Sequence, residues 1–205
     1  MRTVVRREGN QLVFIEKVAG EAGAERPERT AEFSGSKVLS YVWPSTLDPR
    51  RVGFAGDTGI LALAATSHPD FDDTPLYDEN RDGAKDNGGA GWHAHWVVLV
   101  PDEIRADGAL KVRDIPEDAT PRMPKTWPGV PLFLDSPPYA TRTRQDTVRI
   151  RLPLADIDGS TRCTYDGVTA ALRVNTNLHD PLLRVTYVFD VASGDLSLPG
   201  TVVDK

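Results

Sequence analysis

Short segments rich in β-branched and aromatic residues follow one another along the whole chain, and each is bounded by Gly, Pro, Asp or Asn. Runs of this kind with such boundaries are typical of β-strands. Residues 92–100 form the clearest one, and residues 147–152 alternate apolar with polar side chains. Further strands are predicted at residues 11–18, 37–43, 59–65, 109–113, 130–134, 168–174 and 182–191.

Helical periodicity is nearly absent from the sequence. Only residues 101–106 and 153–157 are expected to form short helical turns. Many strands without alternating helices predict a mainly β protein, an antiparallel β-sandwich or, as the alternative, a β-barrel. The chain of 205 residues is expected to form a single domain, 1–205. Its segment 116–139 holds seven prolines and is predicted to be an ordered excursion over the body of the protein, not a linker.

Two histidines lie two positions apart on the clearest predicted strand. Side chains alternate along a strand, so His93 and His95 project from one face, about 7 Å apart at the backbone. Imidazoles at this spacing can reach one ion, and imidazole suits zinc and copper. Val97 and Leu99 share that face, which indicates that it is partly covered, and the opposite face carries Trp92, Ala94 and Trp96.

The other two histidines of the chain are the best candidates for further ligands. His68 follows the predicted strand 59–65, and His179 precedes the last predicted strand. Three or four nitrogen ligands would suit tetrahedral zinc, in a closed structural site or in one with a position left for water. The alternative is that the histidines are covered side chains held by hydrogen bonds.

Two families share parts of this pattern. The His93–His95 pair resembles the H-x-H strand of cupins, and with Trp96 it resembles the H-x-H-W strand of α-type carbonic anhydrases. A cupin would have Gly where this chain has Asn87, and a Glu shortly after the second histidine. A carbonic anhydrase would have a third His near Glu117, where none occurs. The chain is therefore assigned to neither family.

An acidic segment lies just before the histidine strand. It matches D-x-N-x-D-G, the opening of a calcium loop, in which oxygens at positions 1, 3 and 5 converge on one cation. Position 12 is Gly89 instead of the usual bidentate Glu, and no helices flank the segment, which excludes an EF-hand. The segment is either a calcium loop within a strand connection or a solvated acidic turn. Its candidate ligands are Asp78, Asn80, Asp82 and Asp86.

Charge and termini bear on partners and location. A net charge of −6 gives no basic footprint for nucleic acid, and the longest apolar run, residues 60–65, is too short to cross a bilayer. No apolar stretch follows the N-terminal arginines, so a cytoplasmic protein is expected, the alternative being an exported chain whose leader was removed. One cysteine, Cys163, excludes an internal disulfide.

These features predict a metal-binding β-sandwich protein. A transition metal, zinc or copper, would be held by His93 and His95 with His68 and His179, and calcium would be a second, structural ion. One alternative is a metal-dependent hydrolase or lyase that uses a metal-activated water. Another is a non-enzymatic module for a carbohydrate or other small ligand. The sequence assigns no catalytic residue, and the aromatic platform of such a module would be Trp43, Trp127 or Tyr139.

Overall fold

Antiparallel β-strands make up most of the regular structure. The computed structural model describes residues 1–28, 33–56, 58–69, 91–105, 108–178 and 181–205. Within these ranges two short 3-10 helices, Pro49–Val52 and Leu154–Ile157, are the only helical elements. The strands are β1 Arg2–Glu8, β2 Gln11–Lys17, β3 Lys37–Ser45, β4 Ile60–Ser67, β5 His93–Pro101, β6 Leu110–Val112, β7 Leu134–Asp135, β8 Ala140–Arg144, β9 Thr147–Pro153, β10 Thr164–Tyr165, β11 Val168–Val174, β12 Leu183–Val191, β13 Gly200–Thr201 and β14 Val203–Asp204.

Six of these strands close into a barrel. Neighbouring strands pair in the order β3-β4-β5-β6-β12-β11, and β11 pairs back onto β3 from Val168↔Val42 to Arg173↔Lys37. All of these pairings are antiparallel. The mainly β prediction is confirmed, and the barrel alternative describes the architecture, with a second sheet added to it.

The second sheet has five strands in the order β14-β1-β2-β9-β8 and covers one wall of the barrel. The main hydrophobic core lies between that wall and this sheet. Phe14 of the second sheet meets the barrel residues Trp43 and Trp96 edge to face, with ring centroids 5.9 Å and 6.4 Å apart. Edge-to-face pairs stabilise a core beyond the area that they bury. These aromatic rings therefore contribute to joining the two layers, together with the aliphatic residues of the main core.

The barrel lumen holds a separate apolar cluster. Because side chains alternate along a strand, each barrel strand sends one set of residues to the core and the other set into the lumen. On β4, Leu61 and Leu63 face the core while Ala62 and Ala64 belong to the lumen cluster. Strand β4 is thus covered on both faces, which is why its sequence is apolar without alternation.

The predicted strands match the structure where apolar residues dominate. Strands β1 and β8 were not predicted, because their arginines hide the alternation in RTVVRRE and ATRTR. Only part of the predicted strand 130–134 forms, as β7 and a bridge between Asp114 and Leu132. The expected helical turn at 153–157 forms as a 3-10 helix, whereas the described residues of 101–106 contain none. The Pro-rich segment contributes β7, which pairs with β5.

No helix in the described part of the chain is long and apolar enough to cross a membrane.

A matched pair of phenylalanine substitutions tests which aromatic rings hold the layers together. Phe14→Ala removes a ring that is 5 % exposed, and we expect the free energy of unfolding to fall by about 3–5 kcal/mol. Phe189→Ala removes a ring that is 54 % exposed on β12, and we expect a change within about 0.5 kcal/mol. Urea unfolding followed by tryptophan fluorescence measures both. Equal effects would contradict the placement of the main core.

Candidate metal centre

Strand pairing brings three of the four histidines into one place. Strands β4 and β5 are neighbours in the barrel, with Thr66 opposite His93 and Ala64 opposite His95. His68 comes directly after β4, two residues beyond Thr66, so it lies on the same lumen side. These three side chains are called the histidine cluster below, and they are His68, His93 and His95.

The histidine cluster is compact and shielded from solvent. All three residues are buried, and His93 is fully so. The ring centroids of His68 and His93 are 4.7 Å apart, as are those of His93 and His95, while those of His68 and His95 are 6.0 Å apart. One ring nitrogen from each residue lies within 4.8 Å of the other two. This arrangement can hold a metal ion.

Hydrogen bonding defines the tautomer of His68. Its Nδ1 lies 2.8 Å from the backbone carbonyl oxygen of Pro69, and a carbonyl can only accept, so Nδ1 carries the proton and donates it. In the neutral ring the lone pair is then on Nε2. That nitrogen lies 2.9 Å from the Nε2 of His93, which donates its proton to it when no metal is bound. This Nε2 is the atom through which His68 can bind an ion.

His95 is oriented by the segment that carries β7. Its Nδ1 donates to the backbone carbonyl of Asp135 at 3.2 Å, and the hydroxyl oxygen of Ser136 lies 3.0 Å from the same nitrogen. These residues arrive there because β7 pairs with β5, with Asp135 opposite Trp96. Metal-binding histidines usually have their second nitrogen held in this way, which fixes the ring and its tautomer.

Burial also keeps His95 neutral. The pKa of His95 is lowered to about 3, mainly by loss of hydration and also by the nearby His68, against an opposing effect of the hydrogen bond to Asp135. Neutral imidazole is the form that binds metal ions. In contrast, burial raises the pKa of the Asp135 carboxyl to about 6, while the Thr126 hydroxyl, which donates to it at 2.6 Å, lowers that pKa.

The barrel lumen next to the histidine cluster contains a cavity of about 500 Å³. His68 and His95 contribute to its wall, together with Thr66. Most of the other lining side chains are aliphatic. Within the described residues, no carboxylate joins the three imidazoles as a candidate ligand. The cluster is therefore a nitrogen-only set of donors at the edge of an apolar space.

The remaining predicted site residues fall outside the residues that the structure describes. They are His179 and the calcium-loop candidates Asp78, Asn80, Asp82 and Asp86.

The expected aromatic platform needs correction. Trp43 and Tyr139 are buried in the main core, and Trp127 is half-buried with its indole N–H donating to the Val130 carbonyl at 2.9 Å. Trp43 and Tyr139 therefore cannot stack on a ligand at the surface. The prediction failed for these two residues because an aromatic residue in a Pro-rich or strand segment suits the core as well as a binding face.

Two residues that position the cluster were missed by sequence reasoning. Asp135 acts on His95 through its backbone carbonyl, which any residue type could supply, and Ser136 sits in an unremarkable Ser-Pro-Pro stretch. Nothing in the sequence links them to His95, which is 40 and 41 residues away.

The buried neutral His95 gives the metal-free protein a characteristic dependence of stability on pH. In the unfolded chain this histidine takes up a proton below about pH 6.5, whereas in the folded chain it does not until about pH 3. The unfolded state then binds more protons, so the free energy of unfolding falls as the pH drops through this window, by up to about 1.4 kcal/mol per pH unit. Urea unfolding of chelator-treated protein between pH 7 and 4.5 measures this decrease in the free energy of unfolding.

The control for this experiment is His95→Asn, whose amide can still donate to the Asp135 carbonyl but does not titrate. The raised pKa of Asp135 acts in the opposite direction, because its folded form takes up a proton first as the pH falls below about 6. The difference between the pH profiles of wild type and variant gives the contribution of His95 to the free energy of unfolding. Parallel pH profiles for the two proteins would contradict a buried neutral imidazole at this position.

No protein-family model matches the chain, and neither a curated protein nor a solved structure shows detectable similarity to it.

Proposed function

We propose that this protein binds a transition metal ion, zinc or copper, through His68, His93 and His95. The observation that carries the proposal is the meeting of three buried imidazoles whose ligand nitrogens lie within 4.8 Å of one another. Placing three imidazoles together away from water costs free energy that ordinary packing does not require. A shared ion offsets that cost by accepting a lone pair from each ring.

The distances within the cluster suit an ion after a small adjustment. Two imidazole nitrogens bound to tetrahedral zinc at about 2.0–2.1 Å lie roughly 3.3 Å apart. The Nε2 atoms of His68 and His93 are 2.9 Å apart. A shift of the proton between them from Nε2 to Nδ1 of His93 would give the ion the Nε2 lone pair of that ring. A separation of the two Nε2 atoms by a few tenths of an ångström would make room for the ion.

Three histidine ligands leave a coordination position for a water molecule or another ligand. This favours, as the second candidate function, a metal-dependent hydrolase or lyase, in which the ion lowers the pKa of that water. The general base of such an enzyme would have to be a residue near the open position, and an Asp beside His68 or His179 is our candidate. If His179 binds the ion instead, the site is closed and structural.

Elemental analysis of purified, tag-free protein is the first test. We expect about one zinc or copper ion per chain, and a protein reloaded after chelation should bind zinc again in a chelator competition assay. His93→Leu and His95→Leu each remove one ligand at similar volume and should weaken zinc binding by more than about 100-fold, because even an outer partner is worth 10–100-fold. The same analysis of the wild type reports calcium, which the segment 78–86 would hold.

The matched control is Val97→Ile, on the same face of β5 and two residues beyond His95. It should leave zinc binding unchanged. His179→Ala distinguishes an open site, in which affinity is unchanged, from a closed one, in which affinity falls. Wild-type protein that takes up neither zinc nor copper after reloading would overturn the proposal, and the cluster would then be a set of hydrogen-bonded structural histidines.

Ser136→Ala tests the orientation of His95. The substitution removes a hydroxyl 3.0 Å from Nδ1 and keeps the Asp135 carbonyl, so the ring loses one of two restraints. We expect zinc affinity to fall by up to about tenfold, with little effect on the fold. The chelator competition assay measures the change. Ser136→Thr keeps the hydroxyl and should therefore retain most of the zinc affinity.

A further inference from the structure

The barrel lumen has space where most small barrels are filled. Interiors of small barrels are packed with side chains, and protein cores contain few voids larger than a water molecule. Here a cavity of about 500 Å³ remains, which lies within the range of small-molecule binding sites. A void of this size lined by aliphatic groups is costly when nothing fills it. The lumen is therefore built to contain something.

Small residues create this space beside the histidine cluster. Ser40 on β3 pairs with Ala170 on β11, and both line the cavity. Ser40 also lies opposite Thr66, the residue whose other neighbour is His93. A Leu or Val in place of Ser40 or Ala170 would fill the part of the lumen next to the imidazoles. The free volume thus reaches the metal-binding end of the lumen.

The wall has an opening on its other side. Among the described residues, strands β12 and β6 pair at Arg184↔Lys111, and β12 continues to Val191. Beyond that pair, Val188 lines the cavity and is nevertheless 47 % exposed. Gly108 and Ala109, which precede β6, line the cavity as well. The cavity therefore reaches the surface at Val188, where a small molecule can enter, whereas a protein or nucleic acid is too large.

The chemistry of the wall restricts the occupant. Among the described lining residues Arg105 is the only one with a permanent charge, and the histidines, Thr66 and Ser40 provide polar atoms near one end. A sugar carries hydroxyl groups all around it, and most of them would lose water without gaining a partner in this lumen. An apolar molecule with one polar end matches the aliphatic wall and the polar atoms at the histidine end of the lumen.

We propose that the lumen binds a neutral, largely apolar organic molecule that points one oxygen or nitrogen lone pair at the histidine cluster. The part of this proposal that concerns the apolar body of the molecule depends only on the cavity and not on a metal ion. The contact of its polar end with a bound ion rests on the proposed function, because that contact uses the open coordination position. The cavity and the ion would then form one site, in which the lumen selects the molecule and the ion fixes its end.

Two neutral probes test the proposal on zinc-loaded and on chelator-treated protein. N-phenylnaphthylamine reports an apolar cavity by increased fluorescence, and phenylimidazole adds a nitrogen that can bind an ion. We expect both probes to bind wild type and phenylimidazole to displace the dye. Zinc should increase the affinity for phenylimidazole but not the affinity for the dye. Ala170→Leu should weaken the dye at least about tenfold, since one added methylene in a filled pocket costs 10–200-fold.

The control is Thr169→Leu, the next residue on β11, which lies outside the lumen cluster and should leave dye binding unchanged. Val188→Trp changes a side chain at the half-exposed end of the cavity and should slow dye association. Because this position is 47 % exposed, the variant is expected to fold even if Ala170→Leu does not. Dye binding that is unaffected by both substitutions, or no binding of either probe, would overturn the proposal.

The outcomes separate this inference from the metal site. If wild type binds the dye with the expected sensitivity to Ala170→Leu but takes up no zinc or copper, the proposed function fails and the apolar site is supported. If zinc binds but neither probe does, the metal site is supported and the lumen proposal is overturned. If phenylimidazole binds equally with and without zinc, its polar end does not reach the ion, and that part is wrong.

Discussion

Closure of the barrel by hydrogen bonds between β11 and β3 is the constraint on which the rest of the structure depends. Six residue pairs join these strands, from Val168↔Val42 to Arg173↔Lys37. Closure removes two sheet edges and turns one face of every barrel strand into an interior wall. Without it, His93, His95 and His68 would project from an open sheet towards water. With it, they are buried, so their protonation and hydrogen bonding are set by the protein.

Strand β5 connects the two interiors of the molecule. Its alternate residues divide between the main core, which receives Trp96, and the lumen, which receives His93 and His95. Tight aromatic packing on one side fixes the backbone from which the imidazoles project on the other. Donor sets need such support, since an ion tolerates little error in the position of its ligands. The aromatic packing of the main core thus positions the imidazoles on the opposite face of β5.

Sequence patterns predicted the parts of this arrangement that depend on alternation within one strand. The shared face of His93 and His95 with Val97 and Leu99, and the opposite placement of Trp96, follow from a period of two residues. Patterns failed where charge interrupts the alternation, as in β1, and where an aromatic residue suits two environments, as with Trp43. The sequence suggested His68 as a further ligand of the His93–His95 pair. The spacing of residues could not show that the strand before His68 lies next to the strand that carries the pair.

The sequence by itself determined the mainly β class, the faces of the strands in which apolar residues dominate, and the residue types available for chemistry, because these are local properties of a chain with alternating side chains. Only the tertiary structure decided that β11 closes onto β3, that Asp135 and Ser136 reach His95, and that Ser40 and Ala170 leave space beside the imidazoles. Those contacts join residues tens to more than a hundred positions apart. Their energies depend on which strands become neighbours, and strand order is a property of the whole fold.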